Sequence, residues 1–202
     1  MAKLKAPLMS LGASGQLGKA LVFFGWKGLD VVREYVIPAN PKTTLQTTQR
    51  GYLAQAVLGI HTSQAWAAHP TNAVDISAYA LLASVIKAAT TWFNQAVKLI
   101  VDQLIAGKHP IHWSDGSVTP TSTQLVLKIT QNAAYATTVF CYYGTSKTAL
   151  INSKLCTLAA QTFTATLTGL TNGVKYYMQF RPTIPAASIG GNSGIYHGVP
   201  SA

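Results

Sequence analysis

An α+β fold is predicted by three features of the sequence. Between about residues 44 and 106, apolar residues recur at intervals of three and four, the period of a buried helix face. From residue 121 onward the period changes to two, in short β-branched and aromatic runs divided by turn residues, as in half-buried strands. Pro38 to Arg50 joins an extended segment to the first helix. These features predict an N-terminal arm, a β-hairpin and a two-helix segment that form an anchoring domain over 1–107. A linker over 108–120 and an all-β domain over 121–202 follow.

Composition supports a folded chain with an unusual surface. Hydrophobic residues make up 49% of the 202, enough for a real core, whereas charged residues reach only 10%, well under the usual quarter. Thr, Ser, Asn and Gln must therefore face water, or partners must cover much of the surface, as in a subunit of an assembly. The five acids are Asp30, Glu34, Asp75, Asp102 and Asp115, against fifteen Lys and Arg. Both ends are basic and the middle is neutral. A net charge of +10 favours polyanions or an acidic protein lattice without choosing between them. Cys141 and Cys156 lie in strand-like sequence; a bridge is conceivable, but buried thiols are the expectation.

Residues 1–19 read as an irregular arm. Met-Ala-Lys-Leu-Lys opens like a signal peptide, but Pro7, Ser10, Gly12 and Ser14 interrupt any apolar core, so no secretion signal is expected. Gly12 to Lys19 imitates a phosphate loop. Ala13 stands where that motif needs Gly, and Ala20 where it needs Ser or Thr, so the loop reading fails. Residues 20–37 predict a hairpin around Lys27-Gly28. With Trp26 opposite Leu29, one face collects Val22, Phe24, Trp26, Leu29, Val31 and Arg33, and burial is expected there. Because an isolated hairpin is marginal, this one must pack on a helix or a neighbouring subunit.

Pro38 and Pro41 fix φ and push Ile37 and Asn40 into extended backbone, ending the strand. Thr43 followed by Gln46 fits a capping box, which starts a helix at Thr44. Its apolar stripe is Leu45, Tyr52, Leu53, Ala56, Val57 and Ile60, with Gln46 and Arg50 on one face. Gly15-Gln-Leu-Gly18, Trp26-Lys-Gly28, Val32-Arg33 and Asn40-Pro41-Lys-Thr43-x-x-Gln46-x-x-x-Arg50 together resemble an N-terminal module of phage and prophage proteins. The motifs are similar to those of the DUF6266-type proteins of Bacteroidetes. The resemblance covers roughly the first quarter of the chain and implies a phage context without an assigned activity.

Gln64 to Pro70 predicts a turn, with Trp66 plugging the joint between helices. A second helix is predicted from about Asp75 or Ser77 to Ala106, on a stripe of Tyr79, Leu82, Ile86, Ala89, Phe93, Val97, Ile100 and Leu104, ended by Gly107 and Pro110. The longest apolar stretch is broken by Lys87, Asn94, Lys98 and Asp102, so membrane spanning is not expected. Residues 107–120 read as linker. His109 and His112 near Asp115 lack a fourth ligand at metal-site spacing.

Strands are predicted over 124–130, 137–143, 162–167, 175–181 and 194–199. Phe163 to Phe180, with Leu170 before a turn and Tyr176 six residues on, resembles the E–F region of a fibronectin type III domain. That resemblance implies a fibronectin III or immunoglobulin-like β-sandwich and a tyrosine corner at Tyr176. A clear tryptophan on the early strands is missing from the match.

No carboxylate, histidine or cysteine stands at a spacing that builds a catalytic site, so no enzyme, metal or cofactor is expected. The expectation is a virion structural protein, a head decoration, head-fibre or tail-accessory subunit assembled in the host cytoplasm. Its partners are other virion proteins, in a homo-oligomer or capsid lattice. The contact would use Phe24, Trp26, Arg33, Asn40, Pro41, Thr43, Gln46 and Arg50. The second expectation is nucleic-acid binding, with Lys3, Lys5, Lys19 and Lys42 as phosphate contacts.

Overall fold

The computed structural model describes residues 15–27, 29–37, 39–40, 42–86 and 91–201. Among the described residues the architecture is α+β, with three α-helices and three antiparallel sheets. The chain divides between Thr43 and Thr44 into two compact units. Of the arm, residues 1–14 lie outside the described residues.

The first unit contains β1 (Gly15–Leu17), β2 (Leu21–Trp26) and β3 (Leu29–Glu34) in that spatial order. β1 corrects the irregular-arm expectation, since Leu17 pairs with Leu21 across a turn in which Gly18 and Lys19 take φ of +53° and +58°. β2 and β3 form the expected hairpin, with Trp26 opposite Leu29 and Val22 opposite Arg33. Lys27 takes φ +49°, the left-handed backbone that a two-residue hairpin turn demands. The expected burial of one hairpin face does not hold: Val22, Phe24 and Val31 are half-buried and Trp26 is 59% exposed. A single sheet layer does not close a core by itself.

In the second unit α1 spans Thr44–Gln64, α2 Ala73–Val85 and α3 Trp92–Ile105. The start at Thr44 is as predicted. The predicted stripe of α1 holds only from Ala56 onward; Ala56 and Ile60 are fully buried, while Leu45 and Leu53 face solvent. The single long second helix is corrected to two. Thr91 turns to extended backbone and its hydroxyl accepts the Asn94 N–H at 3.3 Å, a cap that restarts the helix. Ala89 of the predicted stripe lies outside the described residues, and Ile86 is exposed. α3 ends where expected. Gly107 at φ +66° donates to Leu104 O, and Lys108 donates to Gln103 O, the paired bonds of a Schellman cap. Ala56, Ile60, Tyr79, Ala96 and Ile100 form a helical core.

The strands of this unit are β4 (Trp113–Thr121), β5 (Gln124–Gln131), β6 (Thr138–Gly144), β7 (Asn152–Leu155), β8 (Thr157–Ala159), β9 (Thr162–Leu167), β10 (Tyr176–Ile184) and β11 (Tyr196–Gly198). They form two four-stranded sheets, ordered β4-β5-β9-β8 and β11-β10-β6-β7. Leu125, Leu127, Ile129, Phe163, Ala165 and Leu167 from the first sheet share one core with Val139, Cys141, Met178 and Phe180 from the second. The chain passes from one sheet to the other at Cys156, between β7 and β8. Both cysteines are free and buried.

The linker expectation is corrected, because residues 113–121 are β4. The pairing of β4 with β5 slips between Ser114 and Ser117. The slip takes up Asp115, at φ +54°, and Gly116, so the sequence resembles a loop while the backbone continues a strand. Trp113 is fully buried against Phe163 and Phe180, and its Nε1 donates to Gly191 O at 2.7 Å. At the other end of the core, Leu170 and Tyr176 are buried, and the Tyr176 hydroxyl accepts the Thr171 N–H at 3.1 Å.

Candidate functional site

The contact expected from sequence is divided between the two units. In the first, the cross-strand register places Phe24, Trp26 and Arg33 on one sheet face. The Arg33 guanidinium stands 5.1 Å from the Phe24 ring centroid and the Lys27 ammonium 6.0 Å from that of Trp26. Cations over aromatic faces keep their charge in water while covering part of the apolar surface. Asn40, Lys42 and Thr43 follow β3 and are exposed, Lys42 at φ +46°. Gln46 and Arg50 belong to the second unit, exposed on the first two turns of α1. Lys19 is exposed on its turn. Pro41, Lys3 and Lys5 lie outside the described residues.

Two further features of the second unit were not anticipated. One is a buried polar cluster that ties α2 to the sheets. Asp75 is fully buried and its carboxylate accepts the Asn72 N–H at 3.0 Å, the Gly116 N–H at 3.0 Å and the Tyr196 hydroxyl at 2.7 Å. Asn72 caps α2 in return, and its amide donates to Gly116 O at 2.9 Å. Burial raises the Asp75 carboxyl above its ordinary value, against the lowering effect of these bonds. Beside it, Tyr79 stacks on His112 at 5.5 Å. His112 is buried, and loss of solvent pushes its imidazole down to about 4. These groups are saturated with protein partners and closed to solvent, the condition of a structural tie rather than of a reacting centre. Among the described residues no group of three His, Cys, Asp or Glu is placed to hold a metal. Nor is any helix among them long and apolar enough to cross a membrane.

The other feature is a groove of about 830 Å³, within the size range of small-molecule sites. Its walls come from Gln55 to Ser63 of α1, the turn at Ala65 to Ala67, Ile100 of α3, Pro110, and the β5–β6 loop at Asn132 and Tyr135. Trp66 meets the edge of His69 at 5.0 Å, and His69 pairs with Asp115 at 2.8 Å. Tyr135 stacks flat on His109 at 4.7 Å. His109 and Asp115, considered above as metal ligands, thus hold the two aromatic rings in place, His109 directly and Asp115 through His69. Trp66, expected from the sequence to plug the joint between helices, lines this groove. The sequence carried no signal for the groove, whose walls lie up to 80 residues apart in the chain.

Compared with protein-family models, curated proteins and solved structures, the chain gives no match.

Proposed function

We propose that this chain is a non-enzymatic structural subunit of a phage virion, a head-decoration, head-fibre or tail-accessory protein. It anchors through its N-terminal unit and carries a fibronectin III-like β-sandwich. The observation that carries this reading is the composition of the small sheet. Leu17, Leu21, Trp26 and Val32 of the sheet, with Val36 and Ile37 just after it, are all more than a third exposed, on a unit of some forty residues. Such a sheet gains its second layer from a partner surface. The low overall charge and the resemblance of residues 15–50 to a phage module agree with a partner of virion type.

The sandwich assignment is supported by strand order. Taken in sequence as A, B, C, C′, D, E, F and G, the sheets read A-B-E-D and G-F-C-C′, the immunoglobulin-like arrangement. The hydroxyl of Tyr176, near the start of β10, bonding back to Thr171 has the geometry of a tyrosine corner. Such a domain serves as spacer or display module and names no ligand by itself.

Nucleic-acid binding is the second reading, favoured by Lys19, Lys27 and Lys42. Each is exposed at positive φ on a turn or connection of the first unit, where an ammonium reaches a phosphate backbone without obstruction. Light scattering of the purified chain, with and without plasmid DNA and at two salt concentrations, separates the readings. A defined oligomer indifferent to DNA supports the assembly subunit. A monomer that binds DNA at low salt and releases it at moderate salt overturns that reading in favour of the second. For the virion itself, Trp26→Ala and Arg50→Ala are expected to abolish incorporation while leaving the chain folded.

A further inference from the structure

We propose that the outer face of the β11-β10-β6-β7 sheet is a binding platform for single-stranded nucleic acid. The inference goes beyond the proposed function and is independent of both readings of the first unit.

A track of rings crosses this face. Val139 and Cys141 of β6 belong to the core, as do Met178 and Phe180 of β10. Alternation therefore turns Phe140, Tyr142, Tyr177 and Arg181 to the opposite side. The register sets Phe140 beside Arg181 and puts Tyr142 diagonally across from Tyr177. His197 of β11, which is exposed, pairs with Tyr177 and stacks on it at 6.3 Å. Rings placed in succession on neighbouring strands can take successive bases, because every base has a π face.

The same sheet carries positive charge that nothing answers. Residues 118–202 contain no Asp or Glu. Of their basic residues, Lys147, Lys154, Lys175 and Arg181 lie in this sheet or in the connections that bound it, and only Lys128 lies in the other sheet. Among the described residues none of the four makes an ion pair.

Charge and ring are also placed together. The Arg181 guanidinium stands 4.6 Å from the Tyr142 centroid and the Lys175 ammonium 5.5 Å from that of Tyr177. Arg181 Nε donates to Gln179 Oε1 at 2.9 Å. That bond uses one of five donors and holds the head beside its ring before a ligand arrives. A base against a ring with its phosphate on the adjacent cation is the repeat of a nucleotide strand. An acidic peptide brings the charge without the base, and a duplex keeps its bases in its own stack.

Fluorescence anisotropy of the full chain tests the proposal, with labelled oligodeoxythymidylate of about twelve nucleotides, a duplex of equal length and polyglutamate. The single strand is expected to bind more tightly than the duplex, despite the duplex's higher charge density. Tyr142→Ala should weaken it about tenfold, the equivalent of one lost stack, while Tyr142→Phe keeps the ring and the affinity. Lys154→Gln and Lys175→Gln, at exposed positions, should each lower the slope of log affinity against log salt by about 0.7. Duplex or polyglutamate binding as tight as the single strand would show charge alone at work and overturn the proposal. So would binding that is unchanged by Tyr142→Ala, or that is lost when Lys19, Lys27 and Lys42 are changed to Gln, since the site would then lie on the first unit.

Discussion

β2 and β5 show how little a strand's own composition decides its fate. β2, Leu-Val-Phe-Phe-Gly-Trp, carries two phenylalanines and a tryptophan, yet none of its six residues is fully buried. β5, Gln-Leu-Val-Leu-Lys-Ile-Thr-Gln, is more polar and buries five of eight. The difference lies in what faces them. β5 is the second strand of a four-stranded sheet with a second sheet across the core, whereas among the described residues of the three-stranded sheet that holds β2 none is buried. Apolar surface stabilises only when something covers it. The more apolar strand is therefore the less buried one.

The largest expected effect that sharpens this contrast comes from exchanging tryptophans. Trp113→Ala removes a fully buried ring and its bond to Gly191, and should cost about 3–5 kcal/mol. Trp26→Ala removes a ring that is 59% exposed and should change the stability of the isolated chain by less than about 0.5 kcal/mol. Urea unfolding measures both. Equal costs would mean that the small sheet is as well covered as the large core.

Glycine gives the next test. A Cβ on Gly194 would stand 2.6 Å from the Ala78 carbonyl carbon and 2.7 Å from the Tyr79 nitrogen. What it meets is helix backbone, which cannot swing aside. Gly194→Ala should therefore force α2 off β11 and cost about 3 kcal/mol, the upper end for overpacking, read again from the urea midpoint.

His112 makes the stability of the second unit depend on pH. Its folded value, about 4, lies below the ordinary 6.5, so between them the unfolded chain binds more protons. Stability contributed above 6.5 is lost as pH falls toward 4, by about 2 kcal/mol at pH 5. Asp75 has the opposite sign. Its raised carboxyl favours the folded state below the ordinary carboxylate value, and that contribution is lost as pH rises through the folded value. His112→Gln should flatten the loss between pH 7 and pH 5 in urea titrations. An unchanged slope would assign the loss to other groups.

The sequence made these units unequally legible. Alternation in residues 124–130 and 162–167 predicted β5 and β9 almost to the residue, because each has one dry and one wet face. β4 was hidden by Asp115, Gly116 and Pro120, which imitate a linker; the slipped pairing at Ser114–Ser117 lets a strand tolerate them. The same loop-like sequence concealed Trp113, which is fully buried in the shared core. The break before α3 was invisible because apolar spacing runs through it, and only Thr91 marks the restart. The groove had no local signature, since tertiary contacts bring Gln55, Ile100 and Tyr135 to one place. Of the expected contact, Phe24, Trp26 and Arg33 could be put on one face from strand period alone. Gln46 and Arg50 share a helix face, and that face lies in the other unit.

The smallest prediction bears on the small sheet itself. Gly25, in β2, has open space around its missing Cβ and no positive φ. Ala at this position loses less chain entropy on folding, so Gly25→Ala should stabilise the isolated chain by about 0.5 kcal/mol. If a partner backbone lies against β2 in the assembly, the same methyl stands in its path, and incorporation should fall although stability rises. Close approach of another backbone is one of the few reasons to keep glycine in a strand. Opposite signs for stability and assembly would place the partner at Gly25. A rise in both would move the contact to the strand's ends, near Trp26.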